Sequence, residues 1–156
     1  MNRRRIKLAL KLLAGFRPNK DFVKYVVNRV RVAFFNPHKE VRVNYPTGLM
    51  LELGNRCNLH CIICPREYKY GKQMDQGFMS LENVYKIVDE VYPYLDSIGL
   101  TGLGETLLYP HLAEVVKYIK SKRKNLVISM STNANFAGCV EKITPLLPYL
   151  DSVQFS

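Results

Sequence analysis

Long apolar runs are missing from this chain. No stretch approaches the roughly 18 apolar residues of a membrane-spanning helix, so none is expected. Cysteine is scarce: there are four in 156 residues, and three of them fall within eight positions. A disulfide scaffold would spread its cysteines through a secreted chain. No secretory leader is evident either. Arg3, Arg4 and Arg5 open the chain, but Lys7 and Lys11 interrupt the apolar residues that follow, and no small-residue cleavage site stands out. These absences point to a reduced, cytoplasmic protein. The shortage of acid is local. Residues 1–45 hold 12 Lys or Arg against 2 Asp or Glu, whereas residues 46–156 hold 11 of each. The net charge of +10 therefore belongs to the N-terminal segment, and such a segment suits nucleic acid, anionic lipid, an acidic partner or plain solvent.

What is present is a domain-sized chain with 47% hydrophobic residues, enough to bury a core without staples. Two parts are expected: a basic helical extension over 1–45 and a core over 46–156. Residues 4–15 read as a short basic amphipathic helix through Ile6, Leu8, Leu10, Leu12 and Leu13. Asp21 is a candidate cap for a second helix to about Phe35, with Phe22, Val23, Val26, Val27, Val30 and Ala33 at helical spacing. These helices suit a lid over one end of the core or a surface-binding element, membrane surfaces included. Packing on the chain's own core is the expectation.

From residue 41 the pattern alternates between strand and helix. Strands are expected over 48–53, 98–101 and 126–130, and a fourth begins at Val153-Gln154-Phe155. Between them lie a helix over 81–91 capped by Ser80, a helix to about Lys122 with Pro110 in its first turn, and a weaker helix over 138–149 interrupted by Pro145 and Pro148. Pro93-Tyr94-Leu95-Asp96-Ser97 recurs as Pro148-Tyr149-Leu150-Asp151-Ser152, each time where a helix gives way to a strand. Alternating units of this kind build a right-handed parallel sheet, and four of them make half of an eight-stranded barrel. The fold class is α/β: a partial (βα) barrel of parallel strands preceded by N-terminal helices. In such barrels the functional loops follow the C-terminal ends of the strands. Every unusual motif here falls at such a place.

The first motif is Cys57-Asn58-Leu59-His60-Cys61-Ile62-Ile63-Cys64-Pro65, directly after the first strand. Thiolates are soft, strongly donating ligands that suit iron–sulfur clusters and zinc. A cubane with four irons normally takes four thiolates, so a loop that supplies three leaves one iron open to a ligand. A zinc site would instead need a fourth donor such as His60, His111 or Cys139. The Cys-x3-Cys-x2-Cys spacing, with its Asn58-Leu59-His60 and Pro65 neighbours, resembles the radical S-adenosylmethionine (radical SAM) superfamily over about residues 47–156. The resemblance implies a [4Fe–4S] cluster on Cys57, Cys61 and Cys64, with S-adenosylmethionine on the remaining iron. It implies reductive cleavage of that cofactor to a 5′-deoxyadenosyl radical, a substrate (peptide or small molecule) that loses hydrogen, and an electron donor such as flavodoxin or ferredoxin.

Two later motifs support the resemblance. Gly102-Leu103-Gly104-Glu105-Thr106 resembles the family's glycine–glutamate motif for the amino group of the cofactor, so Gly102, Gly104 and Glu105 are candidate ligands. The family often has proline where Thr106 stands, which implies a looser loop. Ser131-Thr132-Asn133 resembles the Thr-Asn motif after the third strand, making Thr132 and Asn133 cofactor contacts, and Ser156 matches a serine on the fourth strand. Ile63 stands where relatives place an aromatic residue near adenine. The second half of a barrel is absent, and a chain truncated or split from a longer enzyme is expected. The competing reading is a zinc-binding or nucleic-acid-binding module whose basic N-terminus meets phosphate. An inactive remnant is a third.

Overall fold

The computed structural model describes residues 19–34 and 44–156. The helix expected over 4–15 lies outside the described residues. Eight regular elements follow one another: α1 (Lys20–Phe34), β1 (Gly48–Leu51), α2 (Leu81–Val91), β2 (Ser97–Leu100), α3 (Leu112–Lys122), β3 (Val127–Thr132), α4 (Cys139–Ile143) and β4 (Ser152–Phe155). The four strands form one parallel sheet in the order β1-β2-β3-β4. Sequential order with helical crossovers is the βα arrangement that the alternating pattern predicts.

One face of the sheet is packed and the other is open. Ile98 and Leu100 of β2 and Ile128 and Met130 of β3 are buried beside Val84 and Val88 of α2 and Val115, Val116 and Ile119 of α3. Residues of opposite parity, Met50, Gly99, Ser129 and Ser131, look the other way, and Met50 is 75% exposed. Parallel sheets ordinarily have both faces covered. A part-barrel covers only its outer face, because the second face is the barrel's interior.

Several boundaries differ from expectation for local reasons. Strand β1 ends at Leu51 instead of residue 53, because the Leu53 carbonyl turns aside to accept from the Met79 amide at 2.8 Å. Strand β3 runs on through Ser131 and Thr132, whose polar side chains leave the ladder intact; the Thr132 carbonyl still accepts from the Ser156 amide at 3.1 Å. The weak helix over 138–149 is a five-residue α-helix followed by a 3-10 segment (Thr144–Tyr149) that accommodates its prolines. Pro110 precedes α3, and His111 takes the N-cap position. Ser80 caps α2 as expected, accepting from the Asn83 amide.

Helix α1 departs most. Its cap is Asn19, whose Oδ1 accepts from the Asp21 and Phe22 amides at 3.1 and 3.0 Å. Asp21 instead accepts from the Tyr92 hydroxyl. The buried residues are Tyr25 and Asn28, not the valines that set the helical period. Tyr25 donates to Asp96 at 2.7 Å and Arg29 pairs with the same carboxylate at 2.9 Å. Burial, reinforced by the bond to Asp96, pushes the Tyr25 phenol upward in pKa, and burial followed by the bond to Asp21 pushes Tyr92 up to about 12. Both rings are therefore neutral donors at physiological pH.

The repeated pentapeptide marks equivalent junctions. Ser97 opens β2 and Ser152 opens β4. Asp96 anchors α1, while Asp151 accepts from Lys120 at 2.7 Å and from the Ile128 amide at 2.9 Å. Helix α1 thus docks where strands begin, at the end of the sheet away from the cysteine loop.

Candidate functional site

The cysteine loop leaves β1 and is closed at its base. The Asn55 amide donates to the Gly77 carbonyl, Gly77 donates back to Asn55 Oδ1 at 2.8 Å, and Asn55 Nδ2 reaches the Asp75 carbonyl at 2.8 Å. These three hydrogen bonds pin the ends of a long excursion and let its interior serve as a ligand cradle. Within it Cys57 and Cys64 are half-buried and Cys61 is exposed; all three are free thiols.

Two further loops close on this one, and the three are tied pairwise. The Glu105 amide donates to the Arg56 carbonyl at 2.8 Å, and the Leu103 amide donates to the Glu52 carboxylate. Asn133 Nδ2 donates to Asn58 Oδ1 at 3.0 Å, while Asn58 Nδ2 donates to the Asn135 carbonyl at 2.8 Å. The Glu105 carboxylate links the second and third loops. It accepts from Thr132 Oγ1 at 2.6 Å, from the Asn133 amide at 2.8 Å and from the Leu107 amide at 2.9 Å. Glu105 is buried, so three donors stabilise a charge that would otherwise be costly to bury.

The result is an open cleft of about 320 Å³ at the C-terminal ends of the strands. Cys57, Cys61, Cys64, Ile63, Gly102, Gly104, Glu105, Thr132, Asn133 and Ser156 all line it. Every site residue expected from the sequence is thus brought to one place. Leu59, Thr101, Leu103 and Ser131 complete the lining. Sequence reasoning missed Glu52 and Asn58 as tethers, because their partners lie 51 and 75 positions away.

The roles of some residues are revised. A Cβ on Gly104 would lie 2.1 Å from the Gly54 carbonyl oxygen and 2.8 Å from that of Arg56, so this glycine is required by the neighbouring loop's backbone. Gly102 abuts the Glu52 side chain, a neighbour that can yield where backbone cannot. Thr106 does not loosen its loop: it is buried, and its hydroxyl donates to the Leu100 carbonyl at 3.2 Å. Cys57 Sγ accepts from the Leu59 amide at 3.5 Å and from Asn133 Nδ2 at 3.7 Å, so Asn133 touches a candidate metal ligand.

The donor set fits a cluster better than zinc. Among the described residues no three His, Cys, Asp or Glu converge on a point that would hold a single ion. His60 turns to Glu67 at 3.1 Å, and His111 sits beside Glu114 at 3.6 Å. A cubane instead asks each thiolate to serve a separate corner, and three thiols around one cleft meet that demand. Two positions past Cys64, the buried Arg66 guanidinium leaves Nε and Nη1 without a hydrogen-bond partner, while its Nη2 lies 3.7 Å from the Glu67 carboxylate.

The pattern that defines the Radical SAM superfamily matches residues 51–156. The chain belongs to this superfamily. Membership assigns it a [4Fe–4S] cluster and S-adenosylmethionine as cofactors. Curated relatives include the tungsten-containing aldehyde ferredoxin oxidoreductase cofactor-modifying protein of Pyrococcus furiosus, 32% identical over 87 residues, which are 54% of this chain and 23% of that protein. The GTP 3′,8-cyclase of Paenarthrobacter nicotinovorans is 30% identical over 102 residues, 64% of this chain and 28% of the cyclase. The radical SAM chain thus spans about a quarter of the length of these relatives. Among solved structures, BtrN in complex with AdoMet and 2-DOIA superposes with a TM-score of 0.53 at 20% identity, covering 69% of this chain and 44% of BtrN. That likeness concerns the fold.

Proposed function

We propose that this chain carries the cluster of an enzyme that reductively cleaves S-adenosylmethionine and uses the resulting radical to take hydrogen from a substrate. The supporting observation is the gathering of three free thiols, the Gly102–Glu105 loop and the Ser131–Asn133 loop around one cleft. Cys57, Cys61 and Cys64 hold the cluster in this reading. When bound, it supplies one electron that breaks the sulfonium carbon–sulfur bond, giving methionine and a 5′-deoxyadenosyl radical. Backbone carbonyls of the Gly102–Gly104 turn would accept from the cofactor's ammonium in place of the Glu105 carboxylate, which three protein donors engage. Glu105 therefore orients the cofactor-binding loops. Asn133 donates to Cys57 Sγ and steadies that thiolate, and Ser131 and Ser156 offer hydroxyls at the cleft wall. Ile63, 83% exposed, gives an apolar surface for adenine to cover. The electron donor is a flavodoxin or ferredoxin in a reducing cytoplasm, where free thiols persist.

Anaerobic reconstitution with iron and sulfide, followed by dithionite and S-adenosylmethionine, tests this reading. The expected product is 5′-deoxyadenosine, absent from a Cys57→Ala, Cys61→Ala, Cys64→Ala variant. Equal yields from both proteins would refute it.

A further inference from the structure

Helix α1 turns its polar side inward and its apolar side outward. Tyr25, Asn28 and Arg29 face the core, while Val23, Val27, Val30 and Phe34 are 59%, 42%, 51% and 80% exposed. These four recur at intervals of four, three and four residues, so they form one stripe along the helix. Lys20, Lys24 and Arg31 follow the same spacing one step around the helix and line one flank of that stripe. Lys24 also meets Asp21 at 3.4 Å. The polar inward face is explained by Asp96, which takes Tyr25 and Arg29, and by the Tyr45 carbonyl, which accepts from Asn28. Among the described residues nothing covers the outward stripe.

Charge decides what covers it. No Asp or Glu precedes Asp21, and residues 1–20 carry seven Lys or Arg. A second copy of the chain, or the basic segment 4–15 folded back, would set cation against cation. Residues 46–156 hold 11 residues of each sign and offer no acidic surplus. Nucleic acid would satisfy the cations but would leave the valines and Phe34 wet. An anionic bilayer surface satisfies both, because apolar side chains enter the acyl boundary while Lys and Arg stay among the headgroups. We propose that α1 docks this protein onto an anionic membrane surface through the Val23–Val27–Val30–Phe34 stripe. Because α1 lies where strands begin, docking leaves the cysteine cleft facing water.

The chain contains no tryptophan, so Phe34→Trp, at a highly exposed position, gives a single reporter. Its emission is measured with phosphatidylcholine vesicles, with vesicles containing phosphatidylglycerol, and with a DNA oligonucleotide. The expected result is a blue shift and vesicle co-flotation with the anionic lipid alone, reversed by high salt. Adding Val23→Ser, Val27→Ser and Val30→Ser, with helix content checked by circular dichroism, is expected to lower partitioning about tenfold or more without changing charge. The proposal is overturned by no shift on anionic vesicles, by an equal shift on neutral ones, by a shift with DNA, or by a lipid-free shift that grows with protein concentration. None of these outcomes depends on the cluster or on S-adenosylmethionine cleavage.

Discussion

At the scale of single residues, Glu105 does more than a glycine–glutamate motif suggests. Its carboxylate satisfies three donors drawn from two loops. Glu105→Gln keeps the size but presents an amide donor where an oxygen accepted, leaving at least one buried N–H unpaired at about 1–3 kcal/mol. Chemical denaturation should show that loss, and S-adenosylmethionine affinity should fall with it. Asn133→Leu should act differently. It removes the N–H that meets Cys57 Sγ at 3.7 Å while sparing the backbone bond from Asn133 to Glu105. Hydrogen bonds to sulfur help set cluster potentials, so redox titration should find a more negative potential, together with a loss of stability of about 1 kcal/mol or more because the bonds to Asn58 Oδ1 and from the Asn135 amide go too. The ten site residues were legible as residue types at strand ends, because the strand-end rule gathers distant motifs at one place. Who bonds to whom was not legible. The Glu105 bond to Thr132 spans 27 positions, and no local pattern encodes it.

At the scale of elements, the position of the cysteine loop depends on backbone contact. Gly104→Ala would thrust a methyl against the Gly54 and Arg56 carbonyls, and neither can yield as a flexible side chain would. The expected outcome is a displaced loop, about 1–3 kcal/mol of destabilisation and a clear drop in iron retained after reconstitution, measured beside an unchanged far-UV dichroism spectrum. Helix α1 shows the limit of periodicity. Its valines mark a helix, and a helix forms, but burial follows the Asp96 carboxylate, which recruits Tyr25 and Arg29 from 71 and 67 positions away. Asp96→Asn should weaken that dock by about 1–3 kcal/mol. Hydrogen exchange should show α1 amides losing protection while β2 and β3 keep theirs.

At the scale of the whole molecule, the described residues form a sheet packed on one face, with the candidate site at one end and helix α1 docked at the other. Alternation of strand and helix made this legible, and the repeated Pro-Tyr-Leu-Asp-Ser located two of its junctions. The open face was less legible, since a parallel sheet leads one to expect cover on both sides. Met50, 75% exposed, is the visible consequence. The central claim is that Cys57, Cys61 and Cys64 grip a cubane by three corners and leave the fourth for S-adenosylmethionine. Mössbauer spectroscopy of the chain reconstituted anaerobically with ⁵⁷Fe tests it directly. The account predicts a [4Fe–4S] spectrum, near four irons per chain, in which adding S-adenosylmethionine shifts the signal of a single iron site. A spectrum without a cubane, or a cubane indifferent to the cofactor, would contradict it.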